Sequence, residues 1–204
     1  MDVAIGTSIG LVQVFAGHPL DTIKTLLQNG QGYKKLRFKQ LYRGWTYPAV
    51  ASVVYNATAF PIYRACLEEY NPYQAGFIAG VAVSPVDYGF SVGKIRRQCV
   101  KPQPIHFKGL TMCSLRSIFA SVFYFGIYED YKHEIGPLCA GGLAGLLSWT
   151  FTYPCDILAT RQIAERINIR QAFAKGSLWK GYLPCAIRAI FVNSLSFKLY
   201  DILS

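Results

Sequence analysis

The chain has 204 residues, of which 52% are hydrophobic, 15% aromatic and only 16% charged. This composition is too apolar for an ordinary soluble domain and indicates a membrane protein. The net charge is +10, but the basic residues gather in loops without zinc-ligand spacing or an RNA-binding aromatic motif, which argues against nucleic-acid binding. Basic loops of this kind are typical of segments that lie on anionic lipid.

Six stretches are long and apolar enough to cross a hydrocarbon layer of roughly 30 Å, which takes about 20 residues. In chain order they are 3–27, 45–67, 75–95, 110–131, 137–158 and 182–203. The sequence therefore predicts an all-α membrane protein with six transmembrane helices.

These stretches belong to a unit that occurs three times, with corresponding glycines 65–72 residues apart. Each unit has a small-xxx-small step, a polar or charged kink, a loop, an aromatic-basic-Gly triplet and a second apolar run. The repeats are predicted at 1–70, 71–134 and 135–204, within one transmembrane domain. The steps are Gly6/Gly10, Gly76/Gly80 and Gly141/Gly145, and the triplets end at Gly44, Gly109 and Gly181.

The kink of the first repeat places Pro19, Asp21 and Lys24 inside an apolar span, where ionisable groups usually face a partner or a water-filled cavity. This pattern resembles the mitochondrial carrier family, whose hallmark in each repeat is Pro-x-[Asp/Glu]-x-x-[Lys/Arg] followed by an aromatic-basic-Gly triplet. The resemblance covers essentially the whole chain. It implies three parallel two-helix repeats with pseudo-threefold symmetry around a central cavity, in the mitochondrial inner membrane as a multi-pass protein.

The register of the second repeat decides which of its residues match the motif. Nine residues separate the second step glycine from the motif proline in the first and third repeats, and the same offset in the second repeat reaches Gly89. Pro85 and Asp87 therefore lie one turn too early. The equivalents of the motif acid and base in this repeat are Ser91 and Lys94.

The resemblance also implies a matrix-side gate, in which the acid of each odd helix pairs with the base of the next odd helix. Asp21 would pair with Lys94 and Asp156 with Lys24, while the third pair is lost because Ser91 and Ala159 stand at its two positions. Losing both partners costs little, whereas losing one would leave a charge unpaired. The predicted gate residues are Asp21, Lys24, Lys94 and Asp156, braced by Gln28 and Gln98, with helix kinks at Pro19 and Pro154.

The family's opposite, cytoplasmic network is [Tyr/Phe]-[Asp/Glu]-x-x-[Lys/Arg] near the end of each even helix. Only the second copy is complete here, and off-register pairing of Arg64 with Glu129 or Asp201 stays open. We hypothesise a weak cytoplasmic gate and a resting state open to the cytoplasm. Its remnants are Arg64, Glu129, Lys132 and Asp201.

Solute contacts in the family lie on even helices, about seven residues after the triplet glycine. Two arginines then face the cavity with no acid within a helical turn, so that an anionic solute is the natural counterion; pairing with backbone carbonyls or lipid is the alternative. No acid occurs on the predicted faces, which favours a solute without an ammonium group. Tyr55 could stack a base or serve in packing. The predicted contacts are Ala51, Ser52, Tyr55, Arg116, Ser117 and Arg188.

The triplets precede helix starts, where unpaired N–H groups suit a phosphate and glycine permits close approach. The family's cardiolipin positions carry over to these sites; helix caps with interface anchors are the alternative. The predicted lipid-binding residues are Arg43, Gly44, Lys108, Gly109, Lys180 and Gly181.

The sequence thus predicts alternating-access exchange of an anionic metabolite, with a nucleotide or deoxynucleotide as the preferred solute. Carboxylates, keto acids or amino acids are the alternative, and a membrane adaptor with a degenerate carrier fold is the alternative of another class. Because the three histidines are far apart and no nucleophile motif occurs, we expect no enzyme activity. The six cysteines form no CxxC pair, and we expect no metal or cofactor.

We also expect a monomer whose partners are a small solute and membrane lipid, cardiolipin above all. The unusually short chain resembles the compact carriers encoded by giant DNA viruses, for which the membrane would be that of the host mitochondrion.

Overall fold

Helices account for almost all of the computed structural model, which describes residues 2–30, 37–99, 107–189 and 192. Seven helices lie within the described residues before position 182: α1 (Asp2–Gln28), α2 (Phe38–Leu41), α3 (Thr46–Cys66), α4 (Pro72–Gln98), α5 (Leu110–Tyr131), α6 (Gly136–Glu165) and α7 (Ile169–Ala174). A further helical segment covers 182–189, where the predicted sixth span begins, and most of that span lies outside the described residues.

The five long helices coincide with the first five predicted spans, and α6 runs two turns further than expected. Among the described residues, α4 and α5 are long and apolar enough to cross a membrane by length and hydropathy alone. Prolines lie inside α1, α3, α4 and α6. Pro19 and Pro154, the predicted kink positions, are two of them.

Close packing between α4 and α5 depends on the glycine step of the second repeat. A Cβ atom added to Gly76 would lie 2.9 Å from the Ser121 carbonyl oxygen, and one added to Gly80 would lie 2.7 Å from the Ile118 Cα. Small residues let two helix backbones approach in this way inside a membrane. The step therefore holds α4 against α5 at the level of the cavity.

One hydrogen bond recurs in all three repeats. It joins the first helix of each repeat, α1, α4 or α6, to the triplet of that repeat. The side chain just before Pro19, Gly89 and Pro154 donates to the carbonyl oxygen of the triplet base. This repetition supports the register in which Gly89 takes the place of the proline. The bonds are His18 to Arg43 at 3.2 Å, Tyr88 to Lys108 at 3.3 Å and Tyr153 to Lys180 at 3.0 Å.

Arg161 fastens the carboxyl end of α6 to two other parts of the chain. It is 3% exposed and donates to the carbonyl oxygens of Gln28 at 3.1 Å, Ala172 at 3.0 Å and Gly176 at 2.8 Å. It lies two residues after Ala159, where the third repeat has lost its motif base. The guanidinium is used to hold α6 against the end of α1 and against α7.

Candidate solute cavity and its ion pairs

A cavity of about 460 Å³ lies between the long helices and the segment 182–189. Its volume falls within the range of about 300–1,000 Å³ that is usual for small-molecule sites. All of the solute-contact residues predicted from the sequence line it, namely Ala51, Ser52, Tyr55, Arg116, Ser117 and Arg188.

Two ion pairs cross one end of the cavity, and they are the two pairs that the sequence predicts. The Lys24 Nζ lies 2.8 Å from Asp156 Oδ2, and the Lys94 Nζ lies 3.1 Å from Asp21 Oδ2. The first pair joins α1 to α6 and the second joins α1 to α4. Because removing one partner of a buried pair leaves the other charge uncompensated, each pair holds its two helices together strongly.

The two glutamines expected to brace these pairs behave differently. Gln28 donates to Asp156 Oδ2 at 2.8 Å and so supports the first pair. The expected bracing of the second pair by Gln98 is wrong, since its amide donates to Thr22 Oγ1 at 3.0 Å. Gln98 lies one turn beyond Lys94, is buried and contacts α1 through this hydroxyl.

The two cavity arginines have no acid within a helical turn of their own helices, as the sequence indicates, but both contact acids on other helices. Arg116 contacts Asp87, and its Nη1 donates to Asp156 Oδ1 at 2.9 Å. The Arg188 Nε lies 3.0 Å from Asp21 Oδ1. These acids belong to other helices, so a search along the same helix could not find them. The residues predicted to bind the solute and those predicted to form the gate thus share two ion networks. One contains Lys24, Asp156, Arg116 and Asp87, and the other contains Lys94, Asp21 and Arg188.

The expectation that the cavity has no acid to hold an amino group is wrong, because the network around Arg116 contains Asp87. Asp87 lines the cavity, accepts a hydrogen bond from Ser117 Oγ, and keeps 22% of its side chain exposed. Sequence reasoning set it aside because it lies one turn before the motif position. It also lies four residues before Ser91, on the same helix face, and that spacing could have identified it.

Among the described residues, the charged side chains that line the cavity leave it one positive charge in excess. Four are basic and three are acidic: Lys24, Lys94, Arg116 and Arg188 against Asp21, Asp87 and Asp156. Six aromatic rings add to the lining, among them those of Tyr55 and Trp149. Tyr55 shares a hydrogen bond with Ser121 Oγ at 2.8 Å, and the Lys24 Nζ lies 4.4 Å from the ring centre of Trp149.

The opposite end of the helices carries the predicted cytoplasmic remnants. Glu129 pairs with Lys132 inside α5, Arg64 is exposed, and Asp201 lies outside the described residues. Within the described part of the chain, no salt bridge joins two helices at this end, and α4 contacts α5 there through the 2.5 Å hydrogen bond from the Tyr73 hydroxyl to Asp130 Oδ2. The weak cytoplasmic gate stays a prediction.

The three triplet glycines share a left-handed backbone, with φ of +82° at Gly44, +91° at Gly109 and +86° at Gly181. Each stands at or just before a helix start, as the lipid prediction requires. Lys108 donates to the Arg166 carbonyl oxygen at 2.7 Å, so its ammonium already has one contact within the protein. Lipid binding at the triplets stays a prediction.

The sequence of the chain matches a known protein family. The family profile described as mitochondrial carrier protein matches residues 1–74 and 133–204, more than half of the chain. The chain belongs to the mitochondrial carrier family. It is therefore an all-α, multi-pass protein of the mitochondrial inner membrane, and the family consists of transporters of small solutes.

Several carriers are similar to this chain over most of their length. The mitochondrial arginine transporter BAC2 of Arabidopsis thaliana is 27% identical, over 95% of this chain and 86% of the relative. The mitochondrial substrate carrier family protein S of Dictyostelium discoideum is 26% identical, over 98% and 95%. The human mitochondrial carnitine/acylcarnitine carrier protein is 25% identical, over 95% and 89%.

Proposed function

We propose that this carrier exchanges a small solute of the amino-acid type, which carries a carboxylate and a separate cationic nitrogen. The observation that carries the proposal is the position of Asp87, an acid that shares the cavity with Arg116 and Arg188. A cavity that presents both signs of charge matches a zwitterion better than it matches an anion alone.

Each charged group of such a solute has a partner in the cavity. The guanidinium groups of Arg116 and Arg188 can bind a carboxylate through paired N–H donors. Asp87, with its partly exposed carboxylate, accepts from the cationic nitrogen, and Ser117 holds that carboxylate in place. The ring of Trp149, which already lies against Lys24, offers a face for a second cation.

Transport follows from these contacts without a chemical step. In the empty carrier, Arg116 and Arg188 are held by Asp156 and Asp21 at the gated end. A solute that binds the arginines loosens these contacts, and its binding free energy offsets the cost of separating the gate pairs. Coupling of this kind requires the solute to bind the intermediate state better than either end state.

The names of two relatives agree with a solute of this class. One is an arginine transporter and another is a carnitine/acylcarnitine carrier, and both arginine and carnitine combine a carboxylate with a cationic nitrogen. The proposal for this chain rests on its own cavity, and the relatives add support.

A nucleotide or deoxynucleotide is the second candidate. The excess positive charge of the cavity and the ring of Tyr55 in its wall favour an anion that also carries a base. Asp87 lines the same cavity, however, and its carboxylate would repel a phosphate. Other anions, such as dicarboxylates, belong to the same test.

Uptake into liposomes that contain cardiolipin distinguishes these candidates. The labelled panel contains arginine, lysine and carnitine, then nucleotides and deoxynucleotides, then dicarboxylates. We expect uptake of the first group, and a loss of more than tenfold in Asp87→Asn, since a lost ion contact of about 1.4 kcal/mol lowers affinity tenfold. The control variant is Asp130→Asn, which removes an exposed acid outside the cavity.

Nucleotide uptake that Asp87→Asn leaves unchanged or improves would contradict the zwitterion and establish the second candidate. Silence across all three groups would contradict transport and favour the adaptor alternative.

We further propose that a monomer binds cardiolipin at the three triplets. A glycine with left-handed φ stands at or just before each helix start, and because it has no side chain a headgroup phosphate can approach the positive end of that helix closely. Uptake and thermal stability that do not change when cardiolipin is withheld would contradict this proposal.

A further inference from the structure

The side of the cavity between α4 and α6 is where this chain has lost the third salt bridge of the carrier motif. Ser91 on α4 and Ala159 on α6 stand at the acid and base positions of the third pair. The two remaining pairs join α1 to α6 and α1 to α4. A gate formed by these pairs alone leaves α4 and α6 unconnected.

Arg116 on α5 reaches both of these helices. Its Nη2 contacts Asp87 and lies 3.2 Å from Ser91 Oγ, both on α4. Its Nη1 donates to Asp156 Oδ1 on α6 at 2.9 Å. Ser91 is the residue that replaces the lost acid, so Arg116 makes its contacts where the third pair is missing. No salt bridge among the described cavity-lining residues joins α4 to α6 directly.

The shape of the side chain matters as much as its charge. Two different nitrogens of one planar guanidinium hold the two acids at once, whereas the ammonium of lysine is a single nitrogen on a shorter side chain and would have to lie within reach of both acids. The arginine side chain is 16% exposed, so these contacts are shielded from screening by water.

We propose that Arg116 replaces the missing third pair of the gate, and that the arriving solute releases it directly. A solute carboxylate that binds Arg116 competes with Asp156 for the same guanidinium. The side chain then either connects α4 to α6 in the empty carrier or binds the solute in the loaded one. This inference rests on the alternating access proposed above, but it does not depend on which solute is carried.

Arg188 provides a matched control in the same cavity. Its contact with Asp21 joins the segment 182–189 to α1. It does not connect α1, α4 and α6 to one another. Removing Arg188 deletes an arginine and an ion contact of similar length, and leaves the connection between α4 and α6 intact.

The test measures access to the cavity from each side of the membrane and needs no solute. A reporter cysteine is introduced by Ser52→Cys, a cavity position on α3, in a transport-competent background whose native cysteines are replaced. A membrane-impermeant maleimide is applied to mitoplasts, which expose the cytoplasmic face, and to inside-out inner-membrane particles, which expose the matrix face.

We expect Arg116→Gln to be labelled from the matrix face at least tenfold faster than the parent. Asp87→Ala, which removes the other end of the same contact, behaves similarly. Arg116→Lys also labels fast, because it keeps the charge without connecting both acids. Arg188→Gln labels clearly more slowly than Arg116→Gln, because it leaves the connection between α4 and α6 intact. Labelling from the cytoplasmic face measures whether each variant keeps a folded cavity.

Three results would overturn the proposal. The first is labelling of Arg116→Gln and Asp87→Ala at the rate of the parent, and the second is labelling of Arg116→Lys at the rate of the parent. The third is labelling of Arg188→Gln from the matrix face as fast as that of Arg116→Gln. Uptake assays in the same variants keep the two proposals apart. If labelling follows the expectation but no amino-acid-type solute is carried, the solute assignment fails and the gate role of Arg116 stands.

Discussion

Replacing Asp156 with asparagine tests the ion network at its most connected residue. Asp156 is 3% exposed and accepts contacts from Lys24 at 2.8 Å, Gln28 at 2.8 Å and Arg116 at 2.9 Å. Asparagine keeps the shape and removes the charge, so the buried ammonium of Lys24 loses its partner. Breaking a buried pair from one side costs roughly 3–5 kcal/mol.

A chain of this length loses roughly 2–4 °C of melting temperature per kcal/mol. The expected decrease for Asp156→Asn is therefore about 10 °C, measured by tryptophan fluorescence during heating in cardiolipin-containing micelles. Asp130→Asn is the control, because it removes an exposed acid whose contact with Tyr73 is worth less than about 1 kcal/mol.

A double variant makes the reasoning refutable. If Lys24 and Asp156 interact as the structure shows, Lys24→Gln combined with Asp156→Asn lowers the melting temperature by less than the sum of the two single variants. Additive effects, or a decrease in Asp156→Asn no larger than in Asp130→Asn, would refute the stabilising role of the pair.

Two further predictions concern the residues around the network. Arg161→Gln removes a buried cation from three carbonyl oxygens and should cost about 2–4 kcal/mol; a melting temperature equal to that of the parent would contradict the fastening of α6 to α1 and α7. Cys99 follows the end of α4, and burial raises the pKa of its thiol from 9.0 to about 11, so the unfolded chain releases this proton first. The contribution of this thiol to stability should be constant below pH 9 and fall by roughly 2–3 kcal/mol between pH 9 and 11, and Cys99→Ala should remove that part of the pH dependence.

Much of the fold follows from the sequence because the three repeats check one another. Spacing from the glycine step identified Gly89 as the counterpart of the two prolines, and the structure supports this choice with equivalent hydrogen bonds at His18, Tyr88 and Tyr153. The sequence contained this signal as well, since a ring-bearing residue precedes the kink in every repeat. The carrier motif begins one residue later and does not include this position.

The site was predicted less completely, because its contacts join residues that are far apart in the chain. The two direct pairs follow from the repeat pattern. Arg116 and Asp87 are 29 residues apart and Arg116 and Asp156 are 40 residues apart, and neither contact follows from the spacing within one helix. The directions of side chains toward a shared cavity depend on how the helices pack, which periodicity alone does not determine.

Exchange of amino-acid-type solutes by this protein can be observed as counter-exchange. Uptake of labelled arginine, lysine or carnitine is compared between cardiolipin liposomes that are preloaded with the same unlabelled solute and liposomes that are empty, with Arg188→Ala as the matched inactive control. We expect uptake that depends on the internal solute and is absent in the variant. Equal uptake by preloaded and empty liposomes, or uptake that Arg188→Ala leaves unchanged, would contradict this expectation.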